Sequence, residues 1–145
     1  MSAKNFFTED QKQAIVKAIA DAELNTSGEI RVHIDDYCKG DVLDSATGVF
    51  HKLKMTATKQ RNGVLFYVAV KDQKFAILGD KGINEKVPAD FWDHIKNTML
   101  AHFKKQEFTE GLRKGIDMAG EKLKVHFPLL DDDTNELIND MSFGK

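Results

Sequence analysis

The sequence is poor in cysteine and proline, and each shortage excludes a class of protein. Among 145 residues there are 1 cysteine and 2 prolines. Cys38 cannot form an internal disulfide by itself, and no cysteine or histidine group stands at zinc-ligand spacing. A secreted disulfide scaffold and a zinc module are therefore excluded, and we expect Cys38 to be an unmodified thiol.

An excess of one charge and long apolar runs are also lacking. The 21 lysines and arginines against 23 aspartates and glutamates leave a formal charge of -2. Because the basic residues are spread along the chain rather than gathered with aromatic residues, nucleic acid is not an expected partner. No stretch approaches the roughly 18 consecutive apolar residues of a membrane span, and residues 1–8 are polar apart from Phe6 and Phe7. These features predict a soluble cytoplasmic protein that is not membrane-spanning.

Apolar periodicity predicts three strands and four helices. The run from Val64 to Val70 is apolar at every position, which is typical of a strand covered on both faces. Residues 29–35 alternate between apolar and charged side chains, which predicts a half-buried strand. Thr8 and Gln11 form a capping-box pattern at the start of the first helix. The remaining predicted elements are a strand at 75–78 and helices at 8–24, 41–59, 88–105 and 112–127.

The connections between these elements predict the topology. A helix joins the first two strands, which makes them parallel, and the short polar loop 71–74 joins the second and third, which makes them antiparallel. We therefore predict an α/β fold with a small mixed β-sheet sandwiched between α-helices in a single αβα domain. Polar residues then gather at two ends of the sheet. The first pole comprises residues 27–29, 61–63 and 79–85, and the second pole comprises Asp35, Asp36 and Asp72.

The first pole combines carboxylates, an amide and glycines from separate strand ends, which suits a hard cation. Glu29, Asn62, Asp80 and Glu85 supply carboxylate and amide oxygens without sulfur or imidazole. We predict these four residues as metal ligands, and their chemistry leaves calcium and magnesium both open. Spacing alone favours a plainer interpretation, in which Glu29 is a charge at a strand entrance and Asp80 is a turn residue.

The second pole is a minor alternative site. Open parallel sheets usually bind ligands at the carboxyl ends of their strands, where Asp35 and Asp36 lie. Adjacent carboxylates on a strand point to opposite faces, however, so these two are poorly placed to serve one site.

Three motifs in order, SGEI at 27–30, RNGVL at 61–65 and GDKGINEKV at 79–87, resemble the TPM-domain family. This family includes thylakoid-lumen acid phosphatase-like proteins and relatives in photosystem repair and receptor modulation. The resemblance covers roughly residues 6–127, and we predict a TPM-like domain at 1–128. Pro128 ends the last predicted helix, so residues 129–145 are predicted to form a C-terminal tail. The resemblance also implies a crevice at one end of the sheet that in relatives holds divalent cations, notably calcium, through acidic side chains. The match is direct at Glu29 and Asn62, whereas Asn84 stands where many members carry a glutamate.

Two functions follow from these observations. The favoured one is a calcium-binding domain that acts as a binding or modulating module toward a protein partner whose identity the sequence does not reveal. The alternative is a weak metal-assisted acid phosphatase, in which Glu29 or Asp80 orients an attacking water. The catalytic residues of such an enzyme are unknown, because the sequence contains no recognisable nucleophile motif.

Overall fold

The computed structural model describes residues 3–129 and 141–144, which form six helices and four strands. The helices are α1 (Ala3–Phe6), α2 (Glu9–Glu23), α3 (Val42–Lys52), α4 (Lys81–Asn84), α5 (Asp93–Lys104) and α6 (Phe108–His126). The strands are β1 (Glu29–Asp35), β2 (Gly63–Ala69), β3 (Lys74–Gly79) and β4 (Met141–Phe143). All three predicted strands are confirmed.

The sheet is mixed and lies between two layers of helix. Its strand order is β3-β2-β1-β4, with β1 parallel to β2 and β4, and β2 antiparallel to β3. One face carries Ile30, Val32 and Phe66 into a core shared with α2, α5 and α6. The other face carries Leu65 and Tyr67 into a second core with α3. The predicted αβα domain is therefore confirmed.

The strand β1 is buried on both faces, so the prediction that it is half-buried is wrong. Glu29 and His33, on its polar face, are only 2% and 7% exposed. Alternating polar residues indicate exposure only where their face meets water, and here the His33 and Tyr67 rings stack on a buried face. His33 and Asp35 hydrogen-bond to each other and to Ser142 and Tyr67. Arg31 Nε is buried and has no hydrogen-bond partner among the described residues.

The helix α3 ends at Lys52, before its predicted end at Lys59. Lys54 adopts a left-handed conformation with φ 57°, which stops the helix. The chain then folds back through the fully buried Met55 and the nearly buried Thr58. This segment leads directly into Asn62 at the entrance of β2.

Side-chain caps begin three of the described helices, and at α3 Asp41 accepts a hydrogen bond from the Leu43 N–H at 2.7 Å. Thr8 forms the predicted capping box with Gln11, with hydrogen bonds of 3.1 and 2.8 Å. The stretch 80–87, predicted as a loop, contains the short helix α4. Asp80 begins α4 by accepting a hydrogen bond from the Lys81 backbone N–H at 2.7 Å.

The predicted tail contributes β4, which pairs with residues 32–34 of β1 and buries Met141. A strand of three residues is too short for its periodicity to be recognised in a sequence. Residues 130–140 and 145 of the tail, and residues 1–2 of the predicted domain, lie outside the described residues. Among the helices that the structure describes, none has the length and apolar character needed to cross a membrane.

Candidate functional site

The backbone of three strands brings the first pole together. Glu29 pairs with Gly63, and its N–H donates to the Asn62 carbonyl at 3.3 Å. The Asp80 N–H donates to the Gly63 carbonyl at 2.9 Å. Glu29 and Asp80 therefore flank Gly63 from either side. A Cβ atom on Gly63 would lie 3.0 Å from the Met55 carbonyl oxygen, so glycine permits the close approach of the segment that precedes β2.

Three of the four predicted ligands are buried at this pole. Glu29 is 2%, Asn62 1% and Asp80 6% exposed, whereas Glu85 is exposed at the end of α4. Polar side chains rarely lose contact with water to this degree unless their partners are built into the fold. The identity of those partners therefore determines what the pole can bind.

Asp80 is held in an ion pair with Arg61. The Arg61 Nε and Nη2 donate to its two carboxylate oxygens at 2.8 and 3.0 Å. These hydrogen bonds and, less strongly, the charges of Asp80 and Glu85 raise the pKa of Arg61 above its ordinary value. Glu85 therefore acts on the same guanidinium as Asp80.

Asn62 belongs to a hydrogen-bonded group around Ser27. The Ser27 hydroxyl oxygen accepts from Asn62 Nδ2 at 3.2 Å and from Gln60 Nε2 at 3.0 Å. The Asn62 backbone N–H donates to the Thr58 hydroxyl at 3.2 Å. Because the Asn62 amide nitrogen faces Ser27, its carbonyl oxygen lies on the other side of the amide group.

Glu23 is a residue of the pole that sequence reasoning missed. Its carboxylate accepts a hydrogen bond from the Ile30 N–H at 2.7 Å. Ile30 comes two residues before the segment of β1 that pairs with β4. Burial raises the pKa of Glu23 from 4.5 to about 7, helped by the charge of Glu29 and opposed by the hydrogen bond from Ile30. The sequence did offer one indication of this, because Glu23 lies at the end of a predicted helix, just before the turn into β1.

The first pole thus holds two pairs of charged groups, Glu23 with Glu29 and Arg61 with Asp80. Within residues 3–129 and 141–144, no three side chains of histidine, cysteine, aspartate or glutamate form a group ready to hold a metal ion. The Asp80 carboxylate is directed to Arg61. The carboxylates of Glu23 and Glu29 and the amide oxygen of Asn62 remain as oxygen donors of the kind that a hard cation accepts.

The second pole is a hydrogen-bonded network that fastens β4. The Asp35 carboxylate accepts from the Tyr67 hydroxyl at 2.8 Å and contacts His33 Nε2 at 2.9 Å, while His33 Nδ1 lies 2.7 Å from the Ser142 hydroxyl. Burial, together with the hydrogen bond to Asp35, raises the pKa of Tyr67 well above its ordinary value. Asp72 accepts from the Cys38 N–H at 2.7 Å. These contacts support a structural role for Asp35 and Asp72.

The fold and the first pole define a class of protein, a mixed α/β domain with acidic and amide side chains gathered at one end of a small sheet. The chain belongs to the TPM-domain family, whose model matches residues 1–122 and so includes all four predicted ligands.

Solved structures agree with this assignment. The chain is similar to the BA42 protein from the psychrophilic bacterium Bizionia argentinensis, with 52% identity, 97% of each chain covered and a TM-score of 0.92. The N-terminal domain of a P. gingivalis protein has 16% identity, covers 85% of this chain and 80% of its own, and has a TM-score of 0.69. That of the Corynebacterium glutamicum protein cg2496 has 11% identity, covers 94% and 80%, and has a TM-score of 0.65. These last two show the fold alone. A comparison with proteins of curated function found no match.

Proposed function

We propose that this protein binds a divalent cation, calcium first among the candidates, at the first pole and acts as a binding module. The observation that carries the proposal is the position of Glu29, a buried carboxylate, next along the chain to Ile30, whose N–H donates to a second carboxylate, Glu23. The charge of Glu29 contributes to the raised pKa of Glu23, and a cation held near both carboxylates would stabilise their ionised forms.

Glu29 and Asn62 are the residues to which we assign the cation, with Glu23 as the second acid. Calcium binds carboxylate and amide oxygens in flexible geometry, so the amide oxygen of Asn62 suits it better than it suits a transition metal. Asp80 and Glu85, also predicted as ligands, lie on the Arg61 side of the pole, and we propose them as secondary ligands.

The replacement Glu29→Gln is expected to weaken calcium binding by about tenfold or more, about 1.4 kcal/mol, because it removes a buried anionic ligand and preserves the shape of the side chain. Calcium titration of the amide NMR spectrum measures this, with shifts expected at Gly28, Gly63 and Asp80. The matched control is Glu121→Gln, an exposed glutamate on α6, which should bind as the wild type does. The proposal fails if millimolar calcium leaves the amides of the first pole unmoved in the wild type.

The phosphatase alternative stays a prediction. A metal-assisted phosphatase needs positive charge that is free to meet the transferred phosphoryl group. In the absence of a cation, Arg61, the guanidinium of the first pole, is bound by Asp80. The geometry therefore supports binding more than hydrolysis, and we propose only the former.

A further inference from the structure

The ion pair between Arg61 and Asp80 occupies the carboxylate that a cation would need. Both Asp80 oxygens accept from the guanidinium, and Oδ1 also accepts from the Lys81 backbone N–H at 2.7 Å. This two-point geometry is the strongest common arrangement between arginine and a carboxylate. Asp80 is therefore satisfied without any external ion.

The two partners differ in what separation would cost them. The Asp80 side chain is 6% exposed, and that of Arg61 is 43% exposed. A buried carboxylate left without a positive partner is strongly destabilised, whereas a half-exposed guanidinium can move into water at small cost. Arg61 is thus the exchangeable partner, and any cation that replaces it must also balance Asp80.

The backbone of Arg61 is anchored independently of its side chain. Its N–H donates to the Thr58 carbonyl at 3.2 Å, and its own carbonyl accepts from the Gly82 N–H at 2.8 Å. The residue adopts a left-handed conformation with φ 51°, held by these two contacts. Release of the guanidinium therefore requires only side-chain rotation and leaves Asn62, the next residue, in place.

We infer that Arg61 is a resident counter-cation of the first pole, which a divalent cation must displace to reach Asp80. The inference rests on the proposed function and adds to it a residue that sets affinity. The negative charges of Asp80 and Glu85, the two secondary ligands, both act on the Arg61 guanidinium. Its single positive charge is paired with Asp80 in the absence of the cation, acts more weakly on Glu85, and competes with the cation when it arrives.

A double-mutant cycle with Arg61→Gln and Asp80→Asn tests the inference by calcium titration of four proteins. Removal of Arg61 is expected to tighten calcium binding by about tenfold when Asp80 is present, and by about twofold or less in the Asp80→Asn background. The non-additivity arises because Arg61 competes for that one carboxylate. If Arg61 only repels the cation through space, both backgrounds will tighten by the same factor, and the inference is overturned.

Two further observations make the cycle decisive. Lys81→Gln removes a neighbouring exposed charge outside the ion pair and should change affinity equally in both backgrounds. In the NMR spectrum of the wild type, the Arg61 Nε–H resonance should move or broaden as calcium is added, because its hydrogen bond to Asp80 is lost. If this resonance is unchanged at saturating calcium, calcium does not displace Arg61 from Asp80. Absence of calcium binding in all four proteins would instead overturn the proposed function itself.

Discussion

Replacement of Gly82 by alanine is expected to lower the free energy of unfolding by about 3 kcal/mol. A Cβ atom at this position would collide with the Gln60 carbonyl oxygen and lie 2.7 Å from the Arg61 carbonyl oxygen. Both are backbone atoms and cannot rotate aside. The segment 60–62 would have to move away from α4, and the hydrogen bond between the Gly82 N–H and the Arg61 carbonyl would be lost.

Urea denaturation measures this effect, and Gly48→Ala is the matched control. Gly48 lies on the exposed side of α3, and a Cβ atom there would meet nothing within 4 Å. Alanine at that helical position is expected to stabilise the protein by about 0.5–1 kcal/mol, because it restricts the unfolded chain. Opposite signs for the two substitutions are the expected result. Equal stability of Gly82→Ala and the wild type would mean that α4 does not pack against the carbonyl groups of Gln60 and Arg61.

Gly82 also illustrates what a sequence can and cannot predict about such a site. The motif GDKG suggests a turn. Nothing in the local sequence indicates that its second glycine, Gly82, packs against the backbone carbonyl of Gln60. Three of the four described strands, β1 to β3, were predictable, since the apolar run of β2 and the alternation of β1 are local patterns. Their parallel and antiparallel pairing followed from the lengths of the connections.

The side-chain partners at the first pole were not predictable in this way. Topology placed Glu29, Asn62 and Asp80 at one end of the sheet, as the structure has them. It could not predict that Asp80 bonds to Arg61, because that depends on a left-handed residue at the end of the loop before β2. The hydrogen bond between His33 of β1 and Ser142 depends likewise on β4, which comes from the far end of the chain.

The replacement Glu23→Gln is expected to stabilise the calcium-free protein at about pH 8 by about 2 kcal/mol. The pKa of Glu23 is about 7 in the folded state and 4.5 when unperturbed. Because the folded state binds this proton more tightly, the stability that Glu23 contributes is complete below pH 4.5 and is lost as the pH rises through 7. A difference of roughly 2.5 pKa units corresponds to about 3.4 kcal/mol, which we reduce to about 2 because the side chain is only partly buried.

Glutamine removes this loss because it stays neutral at every pH and its amide oxygen can still accept from the Ile30 N–H. The difference between variant and wild type, measured by urea denaturation in the presence of a chelator, should therefore grow from near zero at about pH 4.5 to its full value at about pH 8. Glu9→Gln, at an exposed glutamate of the same helix, is the matched control for the loss of one carboxylate. A constant difference between Glu23→Gln and the wild type across this range would show that folding does not shift the pKa of Glu23. Its carboxylate would then lie in water rather than beside Glu29, which would remove the second acid from the proposed cation site.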